Sequence, residues 1–211
     1  ARDFDDAVCV LKDNDLPGGF RLFVAIADVS HYVKPEDPID KEALLRGTSV
    51  YFPTHAVHML PEELSKNLCS LKPNVNRLTL TCEIRLRADG EIEGYSIYES
   101  IIKSRARLIY EDVTNLIDRK TSSIKDPIII SNIKMMHKLA NILEKKRIRR
   151  GALQFSFDEE IFEFDEEHRM VGVGRINQSS SMRMIEQFML EANETVAEHC
   201  MRNKIPSIYR V

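Results

Sequence analysis

The segment Ala1–Val10 reads Ala-Arg-Asp-Phe-Asp-Asp-Ala-Val-Cys-Val. Three carboxylates, Asp3, Asp5 and Asp6, fall within four residues and lead directly into an apolar, strand-like stretch. On an extended backbone alternate side chains share a face, so Asp3 and Asp5 would lie roughly 7 Å apart while Asp6 points away. A turn or bulge before the strand would bring all three together.

The acidic segment has two interpretations. Three unpaired carboxylates held close together repel one another, and each resists ionisation. A divalent cation removes this conflict, and Mg²⁺ or Mn²⁺ prefers hard oxygen ligands. The alternative is a solvated acidic loop that caps the strand, because acidic clusters are common. The segment by itself leaves both interpretations open.

Length and composition indicate an ordinary globular protein. With 211 residues, the chain suits one large domain or a domain with a subdomain. Its 43% hydrophobic and 30% charged residues are typical of that class. No apolar run approaches the roughly 20 residues that span a bilayer, and no signal sequence precedes the acidic segment. We therefore expect no membrane contact, and we expect the chain to be a piece of a longer protein.

The four cysteines, Cys9, Cys69, Cys82 and Cys200, are widely spaced and form no Cys-x-x-Cys pair. This spacing argues against a zinc site and against a disulfide framework. It predicts reduced thiols in a cytoplasmic protein.

Charge is distributed unevenly along the chain. Residues 101–150 carry 13 Lys and Arg against 5 Asp and Glu, whereas residues 151–200 carry 3 against 11. A basic block is a candidate contact surface for a phosphate backbone. Solvated helix faces give similar counts, and cations at the end of a helix complement its dipole.

Hydrophobic periodicity predicts an α/β fold: a mixed, twisted β-sheet flanked by two long helices, with the acidic cluster at its centre. The predicted strands are Ala7–Lys12, Phe20–Asp28, Arg77–Arg87 and Ile92–Ser104, and the predicted long helices are Asp126–Arg150 and Ser179–Asn203. A short helix through Arg46 is predicted with Asp40 as its N-cap and Gly47 as its C-cap. Asp28, at the end of a buried strand, is either a site carboxylate or a helix cap.

Several stretches, in this order along the chain, resemble the RNB catalytic domain of the RNase II/RNase R exoribonuclease family, and the RNase R branch most. They are Ala1-Arg-Asp-Phe-Asp-Asp-Ala7, Val24-Ala-Ile-Ala-Asp-Val-Ser-His-Tyr-Val33, Gly47-Thr-Ser-Val-Tyr-Phe-Pro53, Met59-Leu-Pro61, Leu64-Ser65, Leu68-Cys-Ser-Leu71, Ala106-Arg-Leu108 with Tyr110, Arg150-Gly-Ala-Leu153 and Ile185-Glu-Gln-Phe-Met-Leu-Glu-Ala-Asn193. The similarity spans the whole chain.

The resemblance implies processive 3′→5′ hydrolysis of RNA to nucleoside 5′-monophosphates by a two-metal mechanism with Mg²⁺, or with Mn²⁺. Its partner would be the 3′ end of a single-stranded RNA, and the sequence indicates no protein partner. Asp3, Asp5 and Asp6 match three of the family's four catalytic aspartates, which would bind the metal. Tyr51 matches the tyrosine that sets the terminal nucleotide and phosphate at the metals.

Other residues match the family's RNA-binding positions. Phe155 matches the aromatic residue that stacks on the 3′ bases, and Tyr110 matches a tyrosine that selects RNA over DNA. Glu186 or Gln187 matches a glutamate pair with the same role, and Gln187 departs from the usual second glutamate.

Parts of the family pattern fall outside residues 1–211. They are the first catalytic aspartate, which would precede Asp3 by six positions, a downstream segment with a catalytic arginine, and flanking oligonucleotide-binding domains. We therefore expect residues 1–211 alone to bind Mg²⁺ and RNA weakly and to degrade RNA poorly or not at all. The alternatives are a catalytically silent RNA-binding module with the same fold and a different metal-dependent phosphoryl-transfer enzyme.

Overall fold

A computed structural model describes residues 3–52, 55–119, 121, 123–153, 159–165, 169–176 and 178–209. Its eight strands are β1 (Asp6–Lys12), β2 (Phe20–Ala27), β3 (Val50–Tyr51), β4 (Ala56–Val57), β5 (Asn76–Leu86), β6 (Ile92–Lys103), β7 (Glu159–Phe164) and β8 (Met170–Ile176). Its five α-helices are α1 (Val29–Tyr32), α2 (Pro38–Arg46), α3 (Tyr110–Thr114), α4 (Pro127–Arg149) and α5 (Ser180–Arg202), and π-helical turns cover Leu64–Leu68 and Asn115–Arg119.

The main sheet has the strand order β1-β2-β5-β6, with β1 at one edge. Two hairpins build it, β1–β2 and β5–β6, and β2 pairs with β5 across a long intervening segment. Directly paired residues of antiparallel strands place their side chains on the same face. The row Val10, Leu22, Ile84 and Tyr95 therefore lies on one face, and its first three members are fully buried.

Helices α4 and α5 cover that face of the sheet. Their inward residues form one core with the buried strand residues, and the helical members are Ile133, Met136, Leu139, Ala140, Leu143, Met184, Phe188 and Ala192. Apolar residues three or four positions apart line one side of a helix, which is why these helices pack where their periodicity predicts. Asn132, on α4, also donates from Nδ2 to the carbonyl oxygen of Val10 at 2.7 Å, which ties the helix to edge strand β1.

The opposite face is covered, near the acidic segment, by the chain between β2 and β5. A second core forms there around Ala27, Leu64, Cys69 and Leu71, and the ring of Phe4 packs against it. Each face of the sheet is thus covered in part, by different parts of the chain.

The predicted α/β class with long flanking helices is confirmed, and the sheet takes an antiparallel form. Every strand pair that the structure describes is antiparallel, and the parallel pairing among described residues is the isolated bridge Pro73–Ser104. Hairpins impose this direction because their strands are joined by tight turns. The acidic segment adjoins edge strand β1 rather than the centre of the sheet.

The C-cap of α2 is the predicted residue, whereas its N-cap lies three residues before the predicted one. The N-cap of α2 is Asp37, whose carboxylate accepts from the backbone N–H of Asp40 at 2.7 Å, and Gly47 closes the helix with a φ of 70°. Pro38 occupies the first turn, a position that suits proline, so the cap precedes it. The prediction of Asp40 as the N-cap was therefore wrong. Asp28 caps α1, because its carboxylate accepts from the N–H of His31 at 3.1 Å.

Contacts between α4 and α5 explain part of the uneven charge distribution. Lys146 forms an ion pair with Glu191 at 2.9 Å, and both side chains are more than nine-tenths buried. Arg150 donates two hydrogen bonds to Glu194, at 2.9 and 2.8 Å. The later residue on α4 contacts the later residue on α5, so the two helices run in the same direction. The basic end of α4 therefore neutralises the acidic face of α5.

Acid sensitivity of the fold is expected at Asp13, in the β1–β2 turn. The hydrogen bond from Arg85, 2.7 Å from Nε to Oδ2, lowers the pKa of Asp13 to about 2. Because the pKa of Asp13 is lowered in the folded protein, its ionised form stabilises the fold at pH values above the ordinary carboxyl pKa. This contribution is lost as the pH falls through about 2. We expect Asp13→Asn to flatten the loss of stability between about pH 4 and pH 2. Urea midpoints across that range would test it. An unchanged slope in Asp13→Asn would contradict the expectation.

Candidate metal and RNA site

The acidic segment is fixed by its backbone at the start of β1. The carbonyl of Asp5 accepts from the N–H of Ala27 at 2.9 Å, which extends the pairing with β2. The carbonyl of Phe4 accepts from the N–H of Leu71 at 2.8 Å, and the N–H of Phe4 donates to Ser70 Oγ at 3.2 Å. The Phe4 ring is anchored in the second core. Asp3 and Asp5 flank this anchored residue and Asp6 follows, so the backbone that carries the three carboxylates is held in place.

The carboxylates of the acidic segment interact electrostatically. Burial raises the pKa of Asp5, and the negative charges of Asp3 and Asp6 raise it further. Burial also raises the pKa of Asp6. Like charges shift a carboxyl group in this way only when they lie close to it. Asp3 and Asp6 are thus close enough to Asp5 to interact with it electrostatically.

The donor chemistry of the acidic segment fits a hard divalent cation. Three oxygen donors of like charge repel one another at Asp5, and a cation such as Mg²⁺ would relieve that repulsion. In the described part of the chain, no three His, Cys, Asp or Glu side chains converge into a set that could hold a metal ion by themselves. The fit therefore rests on the donor set and its electrostatics.

Tyr110 interacts electrostatically with Asp6 of the acidic segment. Burial raises the pKa of its hydroxyl, and the charge of Asp6 raises it further, so the phenol stays protonated at neutral pH. Tyr110 begins α3, and its carbonyl accepts from Ser181 Oγ of α5 at 2.9 Å. The structure thus brings one predicted RNA-binding residue to the acidic segment.

Tyr51 lies on the small ribbon formed by β3 and β4. Its side chain is 68% exposed, and its ring makes an edge contact with His58, with centroids 6.4 Å apart. The ribbon is joined to α2 through Arg46, which donates from Nη1 to the His58 carbonyl at 2.9 Å. Tyr51 therefore presents an open aromatic face to solvent. The Tyr51 ring contacts His58, which follows β4, whereas Tyr110 interacts with Asp6 of the acidic segment.

Glu186 and Gln187 lie together on α5 near the end of α4. Gln187 is 5% exposed, and its Oε1 accepts from Arg147 Nη1 at 3.1 Å. Glu186 lies 3.9 Å from the same nitrogen and accepts a hydrogen bond from Gln178 Nε2. One arginine therefore contacts both members of this pair. Phe155 falls outside the described residues.

Arg147 was not predicted as a site residue. In the sequence it is one cation of the basic run that ends α4. Such cations are expected there because they complement the helix dipole. The opposite charge surplus in residues 151–200 was the available signal, since it indicates that some of these cations pair across helices.

Metal binding should shift the titration of Asp5. Because its pKa is raised by burial and by its neighbours, protons compete with a cation at pH values above the usual carboxyl range, and Mg²⁺ affinity should fall as the pH is lowered. We expect Mg²⁺ to lower the pKa of Asp5, as read from its carboxyl ¹³C chemical shift during a pH titration. A Na⁺ solution of equal ionic strength is the control. The same pKa in both solutions would argue for the solvated-loop interpretation.

Comparisons with known proteins agree with the resemblance. The family described as "RNB domain" matches residues 1–211. Ribonuclease R of Escherichia coli K12 is 40% identical over 213 residues, which cover 100% of this chain and 26% of that protein. Ribonuclease R of Aquifex aeolicus is 41% identical, with 100% of this chain and 30% of that protein covered. The chain thus spans between a quarter and a third of these relatives' length.

A solved structure gives the same result. Mycoplasma genitalium RNase R in complex with ribose-methylated single-stranded RNA superposes with a TM-score of 0.94 at 36% identity, covering 100% of this chain and 32% of that one. The chain belongs to the RNB domain family.

Proposed function

We propose that this chain is the metal-binding part of a hydrolytic exoribonuclease that shortens single-stranded or structured RNA processively from its 3′ end and releases nucleoside 5′-monophosphates. The observation that carries the proposal is the acidic segment, whose carboxylates repel one another at Asp5 within an RNB-family chain. Two bound Mg²⁺ ions, or Mn²⁺ ions, would supply an activated water and charge stabilisation at the leaving oxygen.

Asp3, Asp5 and Asp6 would hold the cations, and their position is set by backbone hydrogen bonds from both flanking segments. In the reaction, the oxygen of water bonds to the last phosphorus and the bond from that phosphorus to the 3′ oxygen breaks. The shortened RNA keeps a 3′ hydroxyl, and the released nucleotide keeps its 5′ phosphate. The acidic segment would orient the scissile phosphate for this in-line exchange.

Aromatic and polar residues would hold the RNA strand without reading its sequence. Tyr51 presents an exposed ring, and stacking of a base on such a ring contributes roughly 1–3 kcal/mol. We assign the same role to Phe155. Tyr110 keeps its proton, so its hydroxyl can donate to a ribose 2′-OH, and Glu186 or Gln187 would accept or donate at a second ribose. A contact with the 2′-OH lets the protein distinguish RNA from DNA, because DNA lacks this group.

The experiment that tests the proposal is a product assay on the full-length protein. We expect a 3′-labelled RNA to lose its label at once as a nucleoside 5′-monophosphate, and a 5′-labelled RNA to shorten progressively, both only when Mg²⁺ is present. A DNA of the same sequence should be degraded much more slowly. Structured and unstructured RNAs compared side by side would define the substrate range. Internal cleavage products would favour a different phosphoryl-transfer enzyme, and RNA binding without products would favour the silent module.

We propose a cytoplasmic setting, which agrees with four free cysteines. Among the described residues, no helix has the length and apolarity that crossing a bilayer requires.

A further inference from the structure

The arginine of the motif Ala106-Arg-Leu108 contacts the acidic segment. The guanidinium carbon of Arg107 lies 5.0 Å from the centre of the Phe4 ring, a distance at which a cation and an aromatic face attract each other. Phe4 stands between Asp3 and Asp5 in the chain, and its N–H and its carbonyl are both hydrogen-bonded. The contact therefore brings a positive charge to the backbone that carries the carboxylates.

The Phe4 ring and the Asp5 carboxylate border the same part of the molecule. Burial raises the pKa of Cys69, and the charge of Asp5 raises it further, so Asp5 lies close to this thiol. Cys69 is a buried member of the second core, against which the Phe4 ring packs. The guanidinium of Arg107 thus lies over a ring that shares its surroundings with a site carboxylate.

Tyr110 gives the same stretch of chain a second contact with the acidic segment. It follows Arg107 by three positions, and its hydroxyl interacts electrostatically with Asp6. The stretch from Arg107 to Tyr110 therefore runs beside the acidic segment, from Phe4 to Asp6. It presents one cation and one phenol there.

The charge of Arg107 is not neutralised by the described carboxylates. Its side chain is exposed, and it forms no ion pair with an Asp or Glu of the described ranges. Arg105, two positions earlier, differs because its Nε lies 3.1 Å from Oδ2 of Asp126. The pKa of Asp5 is raised rather than lowered, so Arg107 does not relieve the repulsion at the acidic segment either. A guanidinium held on a fixed ring without an anionic partner is suited to bind an anion.

We propose that Arg107 binds a phosphate group of the RNA strand, at one of the two internucleotide linkages nearest the 3′ end, and this inference rests on the proposed exoribonuclease function. A guanidinium carries its N–H donors in a planar fork that matches the oxygens of a phosphate, and the Phe4 ring would orient that plane. These linkages are chosen because the scissile phosphate would be held at the acidic segment. Every nucleotide carries a phosphate, so the contact would be independent of sequence and separate from the base contacts of Tyr51 and Phe155.

The test compares Arg107→Gln with Arg105→Gln in the full-length protein. Glutamine keeps a planar polar end but removes the charge. Arg105 is a matched control because it is an exposed arginine of the same stretch whose charge is already paired with Asp126. Arg107→Lys keeps the charge without the planar fork. Urea midpoints show whether each variant keeps the stability of the parent protein.

The first readout is the anisotropy of a labelled single-stranded RNA in EDTA, over a series of KCl concentrations. We expect Arg107→Gln to weaken binding about tenfold, because hydrogen bonds to a charged phosphate are lost. The slope of log affinity against log salt concentration should become shallower by about 0.7, because one phosphate contact fewer releases fewer counterions. Arg107→Lys should keep the parent slope, and Arg105→Gln should change neither quantity.

The second readout locates the phosphate. Three RNAs carry an uncharged methylphosphonate at the last linkage, at the next-to-last linkage or at the 5′ end. We expect one of the first two to bind equally to the parent protein and to Arg107→Gln, and the RNA modified at the 5′ end to keep the tenfold difference. A difference that persists for all three RNAs would overturn the proposal. An unchanged salt slope in Arg107→Gln would also overturn it, and a lowered urea midpoint in that case would assign Arg107 to holding Phe4 alone.

The outcome is separable from that of the proposed function, because binding is measured without turnover. If the protein releases no nucleotides but one methylphosphonate near the 3′ end abolishes the effect of Arg107→Gln, the phosphate contact is supported and the exoribonuclease proposal fails. If nucleotides are released normally and Arg107→Gln binds RNA like Arg105→Gln, the Arg107 proposal fails alone.

Discussion

Replacing Asp6 by Asn in the full-length protein should reduce RNA turnover at least about 1,000-fold while leaving the affinity for RNA within about twofold. A bound cation contributes several kcal/mol of charge stabilisation in the transition state, and each 1.36 kcal/mol corresponds to a factor of ten in rate. Asparagine is nearly the same size as aspartate but carries no charge, so the loss would come from the metal rather than from packing. Single-turnover nucleotide release and RNA binding in EDTA would measure the two effects separately.

The matched control for this substitution is Asp15→Asn. Asp15 has an 86% exposed side chain in the β1–β2 turn, at the far end of β1 from Asp6, so its loss should leave turnover unchanged. Retained turnover in Asp6→Asn would remove that carboxylate from the mechanism. A loss of turnover together with a lowered urea midpoint would indicate a structural effect instead.

Breaking the buried ion pair between Lys146 and Glu191 should destabilise the fold by about 3–5 kcal/mol. Lys146 Nζ lies 2.9 Å from Glu191 Oε1 and also donates to the carbonyl of Gly90 at 3.0 Å, so it joins α4, α5 and the β5–β6 turn. Glu191→Leu would leave a buried ammonium group without its counter-charge. Urea unfolding of Glu191→Leu, of Lys146→Met and of the double variant would measure the coupling.

The double variant Lys146→Met/Glu191→Leu should recover most of the loss, because neither charge then remains buried alone. Burial already raises the pKa of Glu191, and Lys146 opposes that shift. In Lys146→Met the carboxyl group should therefore hold its proton to higher pH, so this variant should lose stability as the pH rises from the unfolded carboxyl value.

The control for the ion pair is Arg150→Ala, which removes the exposed pair with Glu194. Both partners of that pair are about half exposed, and such pairs contribute roughly 0–1 kcal/mol. If Glu191→Leu cost no more than Arg150→Ala, the buried pair would not be a main contributor to stability.

Local patterns predicted the elements of this fold well. Alternation from Leu78 to Leu86 identified β5, and apolar spacing identified α4 and α5 nearly to the residue. These signals are local, since they depend only on residues a few positions apart. The N-cap of α2 was misplaced from Asp37 to Asp40 because two carboxylates flank Pro38 and both make capping-type hydrogen bonds.

The arrangement of the site was less accessible from sequence. Pairing of β2 with β5 joins residues more than fifty positions apart, and this pairing puts Leu80 in one row with Asp6. The placement of β1 at the sheet edge likewise depends on the whole topology. The acidic segment itself was recognised from its carboxylates, whereas the contacts of Arg147 with Glu186 and Gln187 became visible only when distant segments were brought together.

The hydrogen bond from Asn132 to the Val10 carbonyl has a consequence for the acidic segment. An edge strand can slip along its neighbour or recruit a strand from another molecule, because one side of its backbone is unpaired. A slip of one residue would turn Asp6 to the other face and put Asp5 in its place. By occupying one of the free carbonyls of β1, α4 makes such a slip costly, so a helix far from the carboxylates in sequence helps to choose which of them faces Tyr110.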